Sequence, residues 1–304
     1  MMNSFKDILH AAKQGGAKRL LVPAPAAADL PLLARATADG LIAPCLVGDG
    51  RMLRTLIGGS PLDGRYCDIL EESDAKRVLS RALAHLRAGQ ADILMQGGIA
   101  HRDLMDAVLD KSSGLKSGRV ASYVSLFELL KREKLILVTD TFLNDAPGIA
   151  EKQSILENAL QLARRLGMDQ PKTAVLAAIE QVNPGIPSTL DAAILSKMGE
   201  RRQFGNAIVE GPLDIDCALS QVAAERKGLK SAVTGNVDIY MAPEIDTGHL
   251  LAEALVFFGR MQAAGVVMGT SSPLILRVPF VSEENRLVEI ALACLLSGKG
   301  GRNG

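Results

Sequence analysis

Short runs of Val, Ile, Leu and Ala alternate with amphipathic stretches along almost the whole chain, and this alternation predicts its elements. In MMNSFKDILHAAKQGG, Phe5, Ile8, Leu9 and Ala12 fall on one face, and Ser4 with Asp7 fits a capping box, so a helix is expected there. KRLLVPAP (18–25), APCLVGD (43–49), ADILMQG (91–97), ASYVSLF (121–127) and KLILVTD (134–140) read as strands. So do KTAVLAAIE (172–180), NAIVEGP (206–212), DIYMAP (238–243), GVVMG (265–269) and PLILRV (273–278). Several lack polar alternation, the pattern of strands covered on both faces. Between them, Val78, Leu79, Ala82, Leu83 and Leu86 form one helical stripe, with Ser73 as its cap and Gly89 as its stop. Asp246 fits as the cap of another helix, carrying Leu250, Leu251, Ala254, Leu255 and Phe258. The fold class expected is α/β: two lobes of mainly parallel sheet with helices on both faces.

The segment TFLNDAPG (141–148) gathers turn formers, which places a lobe boundary there: residues 1–141 with 269–304 in a first lobe, 142–268 in a second. The stretch 283–296 is apolar on most faces and is expected to bury itself. Open α/β sheets bind ligands outside the carboxyl ends of their strands, so a small molecule is expected in the cleft between the lobes.

A length of 304 residues agrees with two lobes, and a 48% apolar content supplies their cores. With 3% aromatics and no Trp, aliphatic side chains must do the packing. Thirty-four basic residues balance 34 acidic ones, which removes the electrostatic case for nucleic acid or an anionic membrane as partner. A local basic cleft would still suit a phosphorylated ligand. Cys45, Cys67, Cys217 and Cys294 lie far apart and read as reduced thiols, neither a zinc set nor a disulfide framework. Lys6, Asp7 and His10 interrupt the first helix too early for a signal peptide, and no apolar run approaches the roughly 18 residues of a membrane span. A cytoplasmic location is the reading.

No Gly-x-Gly-x-x-Gly follows a strand, and Gly-x-x-x-x-Gly-Lys-Ser/Thr and Gly-x-Ser-x-Gly are absent. His10, His85, His101 and His249 show no metal spacing, and His85 shares the polar side of its helix with Arg77 and Arg81. What remains is a set of loops. In GTSSP (269–273), Gly269 admits backbone N–H groups to an anion, and Thr270, Ser271 and Ser272 add hydroxyls; the other reading is a plain turn before Pro273. MQGG (95–98) is a similar loop or a turn, with Gly97 at its centre. In NPGIPSTLD (183–191), Asn183 opens the loop and Ser188 is either a ligand group or a helix cap. KSSGLKSG (111–118) offers Lys111, Lys116 and Ser117 as a phosphate cradle or a solvated turn.

The stretches LILVTDTFLNDAPGI, VNPGIPSTLDAAILSKM, IVEGPLDIDCALS, DIYMAPEIDTGHLL and AAGVVMGTSSPLIL, in that order, resemble the phosphate acetyl/butyryltransferase family, and its butyryl branch most. The resemblance implies a fold similar to isocitrate and isopropylmalate dehydrogenases and a homodimer formed through the second lobe. It implies transfer of a short acyl group between coenzyme A and inorganic phosphate, with no metal in the chemical step and coenzyme A as substrate, not as a bound cofactor. Carried onto this chain, it assigns coenzyme A to Gly97, Lys116, Ser117, Ser122, Asn183, Gly269 and Thr270, and the chemistry to Arg277, Ser271 and Ser272. The family's Ser-Arg pair corresponds here to Val278 and Pro279, its butyryl-branch Asp to Val281, and its Met-Lys-Gly to Met95, Gln96 and Gly97. Arg277, two residues before the lost Arg, is either a compensating cation facing the cleft or a residue that points into solvent or pairs with Glu283 or Glu284; those two are either nearby carboxylates or the acidic start of a helix. The alternative is a family member with altered or lost catalysis that binds acyl-CoA or another phosphorylated ligand.

Overall fold

A computed structural model describes residues 1–62, 67–110, 115, 118–129 and 133–298. The chain divides into two compact units. One is discontinuous, Phe5–Ala121 with Ala264–Gly304; the other, Ser122–Ala263 with Met1–Ser4, is inserted between its halves.

The first half of the discontinuous unit runs α1 (Phe5–Gln14), β1 (Lys18–Pro23), a 3-10 turn (Ala27–Asp29), α2 (Leu30–Ala38), β2 (Ile42–Gly48) and α3 (Gly50–Ile57). It continues through β3 (Asp68–Glu71), α4 (Val78–Arg87), β4 (Ile93–Met95) and α5 (His101–Leu109). The inserted unit contains β5 (Ser122–Leu129), β6 (Lys134–Thr139), α6 (Ile149–Arg165), β7 (Lys172–Leu176), α7 (Pro187–Glu200) and β8 (Ile208–Leu213). After these come α8 (Ile215–Leu219), α9 (Gln221–Arg226), β9 (Ile239–Met241) and α10 (Ile245–Phe257). The chain then returns with β10 (Gln262–Met268), β11 (Leu274–Ile275) and α11 (Arg286–Leu296).

In the discontinuous unit the strand order is β3-β2-β1-β4-β11-β10, parallel except where β10 meets β11 antiparallel. Leu20, Leu21, Val22, Ile93 and Leu94 are buried, as strands covered on both faces require. The inserted unit orders its strands β5-β6-β9-β7-β8, parallel except for the β5–β6 hairpin. The two units divide at 121/122 and 263/264, not at 141/142 and 268/269. The reason is hydrogen bonding: β5 pairs with β6, and β6 pairs with β9, which ties 122–139 to the inserted unit.

Helix starts depart from expectation in detail. Glu244, not Asp246, caps α10, its carboxylate accepting from the backbone N–H groups of Asp246 and Thr247. Helix α4 begins at Val78 without a side-chain cap, so Ser73 does not cap it. Phe5, Ile8 and Ala12 bury the face of α1 as predicted, and α1 packs on α11, whose residues from Arg286 to Cys294 are all buried. Neither Glu283 nor Glu284 caps α11; the Ser282 carbonyl accepts from the N–H groups of Asn285 and Arg286.

Candidate functional site

Because β1, β4 and β11 are parallel, their carboxyl ends share one edge of the discontinuous unit. Past β1, the 3-10 turn delivers Asp29 fully buried. Past β4 come Gln96, Gly97 and Gly98; past β11 comes Arg277. The Asp29 carboxylate accepts from the Ala26 N–H at 2.9 Å through Oδ2 and from Arg277 Nη2 at 2.6 Å through Oδ1. Gln96 is buried, and its Oε1 accepts the Arg277 backbone N–H at 2.9 Å while its Nε2 donates to the Ile99 carbonyl at 3.0 Å. Arg277 is thus fixed from two neighbouring strands, with its side chain 38% exposed. Gly97 has no alternative: a Cβ there would stand 2.1 Å from the Pro23 carbonyl oxygen. Gly98 N–H donates to the Ala24 carbonyl at 2.6 Å, closing the β4 loop onto the β1 loop.

Behind Arg277 lies a second guanidinium. Arg286 is 3% exposed, its Nη1 stands 3.7 Å from Asp29 Oδ1 and 3.5 Å from Glu283, and its three nitrogens have no hydrogen-bond partner among the described residues. Val278 and Phe280 are buried and Pro279 is exposed, so the three residues after Arg277 bring no polar side chain to this edge. Chemically, the edge holds two guanidinium groups against one buried carboxylate, which suits an anion.

The remaining predicted residues are distributed elsewhere. GTSSP is the turn between antiparallel β10 and β11, at the end of β11 away from Arg277. Ser271 and Ser272 precede β11 and Arg277 follows it, so they lie toward opposite ends of that short strand. The Thr270 hydroxyl donates to the Ser272 carbonyl at 2.8 Å, and Gly269 adopts φ 84°. The Ser271 N–H donates to the Leu115 carbonyl at 2.9 Å; Lys111, Lys116 and Ser117 lie outside the described residues.

In the inserted unit, Ser122 is fully buried and accepts from Asn158 Nδ2 at 2.9 Å. Asn183 is exposed, its Oδ1 accepting the Gly185 N–H at 2.9 Å in a side-chain turn. Buried Thr189, not Ser188, organises that loop: its hydroxyl accepts the Asn183 N–H at 2.9 Å and contacts the Ile186 carbonyl at 2.8 Å.

Two polar centres of this unit escaped the sequence reading. Asp140, at the end of β6, is buried and accepts from the N–H groups of Phe142 and Leu143 at 2.8 and 3.0 Å and from the Asn144 amide. Burial pushes its carboxyl above the ordinary range against the pull of those bonds. The signal was present, an Asp closing a strand before a turn-rich segment. The second centre gathers Glu180, Asp216 and Cys217, whose ligand atoms lie within 4.8 Å of one another. Its cation is Lys227, bonded to Glu180 at 2.6 Å and Asp216 at 2.9 Å. Burial and the two carboxylates push the Cys217 thiol up to about 12, and burial pushes Cys294 up to about 12 as well. All four cysteines are free, as expected of reduced thiols.

A profile of the phosphate acetyl/butaryl transferase family matches residues 69–294. The chain belongs to this family. A phosphate butyryltransferase of Clostridium acetobutylicum is 35% identical over 98% of this chain and 99% of its own length. A probable phosphate butyryltransferase of Bacillus subtilis is 37% identical over 83% of this chain and 84% of its own. Among solved structures, a branched-chain phosphotransacylase from Enterococcus faecalis superposes with a TM-score of 0.79 at 28% identity, over 91% of this chain and 99% of that one. The family stretches quoted from the sequence therefore carry a fold that extends over nearly the whole transferase. No helix among the described residues is long and apolar enough to cross a membrane.

Proposed function

We propose that this chain moves a short acyl group between coenzyme A and inorganic phosphate: acyl-CoA + phosphate = acyl phosphate + CoA. A phosphate oxygen attacks the thioester carbonyl, negative charge builds on the carbonyl oxygen, and the thiolate of coenzyme A leaves; the reverse reaction starts from that thiolate. Such a site must hold an anion and stabilise an oxyanion. The observation that carries the reading is Arg277, whose half-exposed guanidinium is held by Asp29 and whose backbone is held by Gln96 at the carboxyl edge of β1, β4 and β11. Family membership and relatives named phosphate butyryltransferase support it. Coenzyme A is a substrate here and not a resident cofactor. The fold is read as similar to isocitrate and isopropylmalate dehydrogenases, the location as cytoplasmic. The assembly is read as a homodimer: α10 leaves Leu250, Phe257 and Phe258 exposed to cover, and a monomer in sedimentation equilibrium would contradict that.

The test is release of thiol from acyl-CoA in phosphate, or its consumption from acyl phosphate, by wild type, Arg277→Ala and Arg277→Lys. Charge-assisted bonds in a sheltered site contribute about 2.7–4 kcal/mol to a transition state. Both substitutions are expected to slow turnover roughly a hundredfold or more, since an ammonium lacks the planar fork. Turnover that survives both removes Arg277 from the mechanism. The second reading is a member that binds acyl-CoA or another phosphorylated ligand without turnover; Val278 and Pro279 at the Ser-Arg positions favour it, and an inactive wild type that still binds acyl-CoA would establish it.

A further inference from the structure

Asp29 and Arg277 alone would form a closed pair. An incoming anion would meet a neutralised guanidinium backed by a carboxylate, and the site would repel what it has to hold. The Arg286 side chain changes this balance. It is 97% buried on the first turn of α11, makes no hydrogen bond among the described residues, and stands 3.7 Å from the same Asp29 Oδ1 that accepts from Arg277. Two guanidinium groups thus share the Asp29 carboxylate, leaving one net positive charge among these three side chains. Glu283 is 73% exposed and faces Arg286 from water at 3.5 Å, where its charge is screened. Arg286 is far less screened, because it sits in protein where charge is felt more strongly. A buried guanidinium without hydrogen bonds is costly to keep, and among the described residues its ion-pair partners are Asp29 and Glu283.

We propose that Arg286 is a positioning residue for phosphate: it draws on the charge of Asp29 and so leaves the Arg277 fork cationic toward the incoming anion. The proposal rests on the reading of Arg277 as the phosphate-holding group. Arg286 itself stays out of reach of the substrate and acts through Asp29. Its contribution is charge, not a directed bond, so a lysine in its place should serve nearly as well. This is the opposite of the expectation for Arg277, where the fork is needed.

The experiment titrates inorganic phosphate calorimetrically into wild type, Arg277→Ala, Arg286→Met, Arg286→Gln and Arg286→Lys, with the phosphate and acyl-CoA KM values measured in parallel. Thermal melts check folding, and Arg286→Gln serves where Arg286→Met does not fold. Arg286→Met is expected to raise the phosphate Kd and KM about tenfold, the loss of about 1.4 kcal/mol, with the acyl-CoA KM changed less than about twofold. Arg286→Lys is expected to restore most of the phosphate affinity. A neutral substitution that leaves phosphate binding unchanged, while Arg277→Ala abolishes it, overturns this inference alone. So does Arg286→Lys binding as weakly as Arg286→Met, or phosphate and acyl-CoA affinities falling together. Arg277→Ala binding phosphate like wild type overturns the assignment of Arg277 and this inference with it. Phosphate binding with the expected pattern but without turnover leaves the inference in place and removes acyl transfer.

Discussion

Replacing Gly97 by Ala tests how the site is built, since this glycine holds the β4 loop against the β1 loop. The added Cβ would lie 2.1 Å from the Pro23 carbonyl oxygen and 3.1 Å from that of Ala24. Both obstacles are backbone, so no side-chain rotation relieves the clash. The overlap is about 1 Å beyond ordinary carbon–oxygen contact, and the β4 loop has to move by a comparable distance. Overpacking of this kind costs about 1–3 kcal/mol. The Gly98-to-Ala24 hydrogen bond, 2.6 Å in the structure, would be stretched, adding about 1 kcal/mol. Gln96 is the residue before Gly97 and fixes the Arg277 backbone, so the same movement should misplace the guanidinium; a displacement of about 1 Å can cost roughly a hundredfold in rate. Urea unfolding should therefore show Gly97→Ala less stable by about 2–4 kcal/mol, and the thiol assay should show a fall in kcat. Gly59→Ala is the control: no atom lies within 4 Å of its added Cβ, and little change is expected. Wild-type stability and rate in Gly97→Ala would refute the close-approach account of this loop.

Ser122→Ala should lower stability by about 1–3 kcal/mol, because the buried Asn158 amide loses an acceptor, while the KM for coenzyme A stays put; a raised KM would place Ser122 in the binding site. Arg19→Met should remove at most about 1 kcal/mol near neutral pH, since Arg19 is half exposed. Hydrogen bonding to Arg19, opposed by burial, holds the Asp92 carboxyl below its usual value, so this contribution is present above the unfolded pKa near 3.9 and is lost as pH falls through the folded one. Wild type and Arg19→Met should converge in stability as pH falls through the folded Asp92 value; a gap that stays constant across the acid range would contradict the assignment.

The central strands were legible because burial on both faces writes an unbroken aliphatic run: Leu20 to Val22, Ile93 to Met95 and Leu135 to Val138 are all buried. Strand β3 was not, since Asp68 and Glu71 are exposed and only Ile69 and Leu70 carry any apolar signal. Gly97 was singled out for the right loop but for ligand approach, whereas the neighbour that excludes a side chain is the protein's own backbone. Asp29 had no local signal at all: it sits in an alanine-rich turn, and its partner Arg277 lies 248 residues away. The GTSSP turn was recognised, but a turn motif does not reveal that the following strand carries the chain to the opposite edge of the sheet. Arg286 lies inside the stretch 283–296, whose apolar faces hide a single guanidinium; only the packed helix shows that it faces Asp29.

The divided unit has a consequence for how the polypeptide comes into being. Strand β4 finds its neighbour β11, and Asp29 its counter-charge, only after the last quarter of the sequence has been made. The inserted unit, by contrast, is almost wholly contiguous from Ser122 to Ala263. Domains tend to fold as they emerge during synthesis, and distant pairings form late because loop closure must come first. On a ribosome, residues 122–263 should therefore acquire protease resistance while the earlier residues still expose β1 and β4. The edge around Asp29 would be among the last parts of the molecule to form, assembled when the returning segment delivers Arg277 and Arg286 together.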